Sequence, residues 1–172
     1  MAVIEAIKTT YLEADVVTVT MSGIPGTYEH LQLRISARST RTSSTGWVRL
    51  GPNGDTSTGN KSHHRMQGFG NGGSSGVTDA STSSLIFYHM PSDYDADAVT
   101  YGSMVIDILD YANTNKYTTF QQVSGWAGQG ADYAVFGSGL WAATTTMTSI
   151  TLDSTDAWTR GSEFTLYGLN SS

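Results

Sequence analysis

The chain has 172 residues, of which 14% are charged, with a net charge of −6 and a pI near 4.9. That acidic balance argues against nucleic acid as a partner, because phosphate binding calls for a basic footprint, and against an anionic membrane surface. With no cysteine, disulfides, thiolate metal ligands and a cysteine nucleophile are excluded.

A chain of this length fits a single domain, 1–172, able to bury its own core. Its 45 Ser and Thr, 19 Gly and 3 Pro point to strands joined by polar turns. The opening "MAVIEAIKTTYLEAD" carries acids where a secretory leader is basic, and no run of about 18 apolar residues follows, so neither a signal peptide nor a membrane span is expected. A short helical turn near Met1 to Ile7 is the only helix suggested.

Next, "VVTVTMSGI" sets Val17, Val19 and Met21 on one face of a strand, and "GIPGTY" turns through Pro25 and Gly26. The clearest alternation is "HLQLRISAR", with Leu31, Leu33, Ile35 and Ala37 on one side and Gln32, Arg34, Ser36 and Arg38 on the other. Further strands are predicted at 46–51, 63–69, 84–90, 102–111, 117–126, 132–141, 148–153 and 162–169. The stretch at about 68–84 is rich in Gly and Ser and is expected to be an exposed, mobile loop. Eight to ten short strands with no helix between them imply an all-β, antiparallel β-sandwich, with a jelly roll as the first choice.

Several clusters invite a chemical reading. "GFGNGG" (68–73) and "GGSSG" (72–76) match the dinucleotide and nucleophile-elbow patterns, but neither stands between a strand and a helix, so both are read as loop composition. His63 and His64 are adjacent, and on a strand their rings point to opposite faces, so they are read as surface or satisfied strand histidines and not as a shared metal site, with a subunit contact as a further candidate role. Asp93, Asp95 and Asp97 have the alternate-acid spacing of a calcium loop, yet Ala98 and Met104 stand where an EF-hand needs Gly and Glu. They remain candidate metal ligands beside the simpler reading of a solvated acidic loop.

The densest cluster is "VIDILDYANTNKYTTF" (105–120). Strand parity sets Met104, Ile106, Ile108 and Asp110 on the core side and Val105, Asp107, Leu109 and Tyr111 on the other, so the two aspartates cannot act on one substrate. Asn113 and Asn115, which tolerate left-handed backbone, mark a hairpin corner. Trp126, Trp141 and Trp158 lie beside Gly, Ser or Thr and are candidates for a sugar-binding surface, a protein interface or the ends of the core, with core or interface preferred; Trp126 and Trp141 join His63 and His64 as interface candidates. No catalytic residue and no cofactor are expected.

Three segments, "IPGTYEHLQLRISARST" (24–40), "IDILDYANTNKYTT" (106–119) and "TSITLDS" with "WTRGSEFTLYGL" (148–169), resemble a domain of structural proteins of tailed bacteriophages, cyanophages and marine phages among them. The resemblance implies a β-sandwich displayed on the virion and made in the host cytoplasm, with no enzymatic activity. It implies Asp107, Asp110, Tyr111, Asn113, Thr114, Asn115 and Lys116 as a structural motif. The expected function is a capsid decoration or cement protein, a homotrimer clamping neighbouring major capsid subunits, each copy burying an edge against the next around a closed ring. The alternative is a tail-fibre or head-fibre module that binds host surface glycans.

Overall fold

The computed structural model describes residues 3–80, 82–94, 96–128 and 132–170. Their regular structure is twelve strands: β1 Val3–Tyr11, β2 Val16–Ser22, β3 His30–Ala37, β4 Gly46–Pro52, β5 Lys61–Phe69, β6 Ser74–Ala80, β7 Leu85–Met90, β8 Gly102–Leu109, β9 Thr118–Trp126, β10 Tyr133–Trp141, β11 Ser149–Trp158 and β12 Glu163–Asn170. They form an antiparallel sandwich with an eight-stranded sheet, β1-β12-β3-β8-β9-β10-β5-β6, and a four-stranded sheet, β2-β11-β4-β7.

The alternation read in the sequence places the core. Leu31, Leu33, Ile35 and Ala37 of β3 face Met104, Ile106 and Ile108 of β8, and all are buried between the sheets. From the four-stranded sheet, Val19, Met21, Val48, Leu50, Phe87, Ile150 and Leu152 close over them. The chain crosses between sheets at each step from β1 to β5, again from β6 to β7 and β7 to β8, and again from β10 to β11 and β11 to β12. Two pairs of strands interrupt this alternation: β5 and β6, and β9 and β10, all laid onto the free side of β8.

Four expectations need correction. Residues 3–11 form β1, not a helical turn; bonding to β12 holds them extended, with an irregularity between Ala6 and Lys8. Within 68–84, Ser74–Ala80 pairs with β5 as β6, so the loop shrinks to a turn in which Gly72 takes a φ of 85°. Val17 is exposed while Val19 and Met21 are buried, because the pairing of β2 with β11 is irregular between Asp153 and Trp158. Arg38 is buried, because β3 ends at Ala37 and the next side chain leaves the strand's alternation.

Candidate functional site

At the corner after β8, Asp110 takes a φ of 58°, a left-handed conformation that Asp tolerates better than most residues. That single residue breaks the strand's parity. Tyr111, expected on the wet face, turns inward and is fully buried, where its hydroxyl donates to the Pro25 carbonyl and accepts the Tyr28 amide at 3.2 Å. The left-handed position therefore belongs to Asp110 and not to Asn113 or Asn115.

Local bonds account for the polar groups at this corner. The Asn113 amide donates to the Asp110 carbonyl at 3.0 Å, and the Asn113 side chain accepts the Asn115 amide at 2.8 Å. Lys116 lies 3.4 Å from the Asp110 carboxylate, and Thr114 is exposed between the asparagines. Asp107 sits on the outer face and accepts from Gln32 at 2.8 Å across the β3–β8 pair.

The acidic loop surrounds Arg38. The guanidinium donates to the Asp93 carboxylate, to the Asp97 carbonyl at 3.1 Å and to the Ala96 carbonyl at 3.2 Å. The Asp97 carboxylate instead accepts from the Thr100 hydroxyl at 2.6 Å, and that bond, with the Val99 and Thr100 amides and nearby Arg38, holds it below the usual carboxylate range. Asp95 lies outside the described residues. Among the described residues no three His, Asp or Glu side chains gather as metal ligands.

His63 and His64 point to opposite faces, His63 buried and His64 exposed with the Ser138 hydroxyl 3.1 Å from its Nδ1. Trp126, Trp141 and Trp158 are buried, so of the interface candidates only His64 presents its side chain at the surface.

Two buried polar clusters escaped the sequence reading. Lys61, the first residue of β5, is fully buried and lies 3.3 Å from Asp55, with further bonds to the Ser57 carbonyl and the Asn60 side chain. Burial opposes ionisation at Asp55, but hydrogen bonds from Trp141, Ser57 and Asn60 outweigh it and hold the carboxyl well below its ordinary range. Strand alternation alone does not mark Lys61 for burial; its partners Asp55, Ser57 and Asn60 come from the loop just before it.

The second cluster links the sheets. His89 of β7 contacts the Thr45 hydroxyl through Nδ1 at 2.7 Å and Gln67 Oε1 of β5 through Nε2 at 2.8 Å, and stacks on Tyr133 with ring centres 4.3 Å apart. Because Oε1 only accepts, Nε2 carries the proton and Nδ1 accepts from Thr45. Burial first, then the positive charge of Arg65, pushes His89 down to about 4.

The broadest surface feature is the outer face of β6, β5, β10 and β9. Met66 pairs with Phe136, Phe136 with Val123, and Val123 with Val105 of β8, giving an apolar row across the strands. Met66, Val123 and Phe136 are 64%, 60% and 47% exposed and line a shallow groove of about 690 Å³ with Gly76 and Ala134. At the outward positions of these four strands stand Ser, Thr, Gln, Gly, Ala, Leu and His64, with no Asp, Glu, Lys or Arg. Comparison with protein-family models, with curated proteins and with solved structures finds no match to this chain.

Proposed function

We propose that this protein is a non-enzymatic structural component of a tailed-phage particle, a decoration or cement protein that clamps neighbouring major capsid subunits from the outer surface as a trimer. The resemblance at 24–40, 106–119 and 148–169 suggested the role. The observation that carries it is the charge-free outer face of β6, β5, β10 and β9, an apolar and hydroxyl-rich surface suited to burial against another protein chain within such an assembly.

Two further features support this reading. The residues that invited catalysis or metal binding are engaged in local structure, Asp93 with Arg38, Asp107 with Gln32 and Asp110 with Lys116. The repeated crossing between sheets supports a jelly roll carrying two inserted strand pairs. The glycan alternative loses its proposed tryptophan platform, since Trp126, Trp141 and Trp158 lie inside.

A reconstruction of the particle tests the proposal. Density for the protein is expected on the head, at local three-fold positions, and stripping it should lower the head's resistance to internal pressure. Density confined to the tail, or binding of the purified protein to a glycan array, refutes the cement role.

A further inference from the structure

Two apolar patches lie towards opposite ends of the eight-stranded sheet. One is the Met66, Phe136 and Val123 row. The other is β1, which among the described residues pairs with β12 alone, leaving its second edge unpaired there. Seven of its nine positions are exposed, Val3, Ile4 and Tyr11 by 50% to 55%, and none is fully buried. Ordering nine residues costs roughly 1–2 kcal/mol each in backbone entropy, and β1 has little side-chain burial of its own to set against it. β1 and β5 are six strand spacings apart in the sheet, about 29 Å, so the patches cannot meet within one chain.

We infer that each patch is the other's partner on a second copy: the β1 edge of one chain seats on the β5–β10–β9 face of the next, head to tail, and the series closes as a ring. Charge favours this pairing. Register with β12 places Ile4, Ala6, Thr9 and Tyr11 on the outer side of β1, all uncharged, while Glu5 and Lys8 fall on the inner side. There Glu5 accepts from Tyr28 and Lys8 reaches the Thr20 carbonyl of the same chain. Copies carrying −6 each therefore meet through two surfaces free of like charge.

Area favours a ring over a simple pair. Four strands of seven to nine residues cover about 19 by 29 Å, or about 550 Å², short of the ~800 Å² per partner in a stable interface. One such contact is weak, and closure, which gives every copy two contacts, holds the assembly together.

The assignment rests on the ring assembly proposed above, but its test needs only purified protein. Sedimentation equilibrium should show wild-type protein as a closed trimer. Ile4→Lys and Phe136→Lys, both at exposed sites and checked for folding by circular dichroism, should each be monomeric. Mixed at high concentration they should form a one-to-one pair, because each supplies the surface the other lacks; Tyr11→Lys and Met66→Lys should repeat the result. Wild-type protein that stays monomeric, Ile4→Lys that assembles like wild type, or a mixture that never pairs would overturn the contact. Trimers that fail to bind heads would leave it standing and refute the shell location instead.

Discussion

Lys61 and Asp110 show how much of this fold hangs on single side chains. Removing one partner of a buried ion pair strands the other charge, so Asp55→Ala, which leaves Lys61 fully buried, should lower stability by about 3–5 kcal/mol. Lys61→Met, which removes the charge and keeps the volume, should cost far less; equal losses in urea unfolding would show that the charge is not what matters. At the corner, Asp110→Gly can hold the left-handed backbone and should stay within about 0.5 kcal/mol of wild type, while Asp110→Ala should lose about 1 kcal/mol. Sequence alone located this corner but assigned its special backbone to the asparagines. Parity arguments carry a strand's alternation forward until some residue breaks it, and nothing in "ILDYAN" says that the break comes at Asp110 and so sends Tyr111 inward.

Elements whose two faces differ were legible, and those whose faces are alike were not. Strands β3 and β8 alternate because one side is buried and the other wet, whereas in β1 and β6 most positions on both sides are exposed, so "VIEAIKTTY" and "SSGVTDA" carry no period-two signal. The hinge between elements most open to test is His89, which ties β7 to β5. The unfolded chain binds a proton there near 6.5 and the folded one only near 4, so the unfolded state is favoured as pH falls through that window. The His89 contribution, full above pH 6.5, should decline by about 3 kcal/mol by pH 4 and then level off. Urea unfolding from pH 7 to 3.5 checks this, with His89→Gln, less stable at pH 7, expected to show a shallower decline. Parallel slopes for the two proteins would remove His89 from the account.

At the scale of the molecule, the two sheets are unequal, and β6 overhangs. It pairs with β5 only, most of its side chains are exposed, and its neighbours are tied inward through Gln67 and His89. Native-state hydrogen exchange should find β6 opening at a free energy well below that of β3, β8 and β12, which report global unfolding. If β6 exchanges as slowly as β3, the sandwich is one cooperative block. The order of strands in the sheets could not be read from the residues, because it depends on which distant segments meet, whereas alternation records only which face is dry.

The place of β12 bears on how the protein is made. Residues 163–170 run between β1 and β3 and bond to both, so neither of those earlier strands gains this neighbour until these residues have been translated. The half of the sheet from β3 through β8 to β10 can form while the ribosome is still working, but β1 must wait. A product cut short before Glu163 would leave β1 without a ladder and Phe164 and Leu166 missing from the core. Such a chain would also lack an ordered β1, the edge proposed above to seat on a second copy.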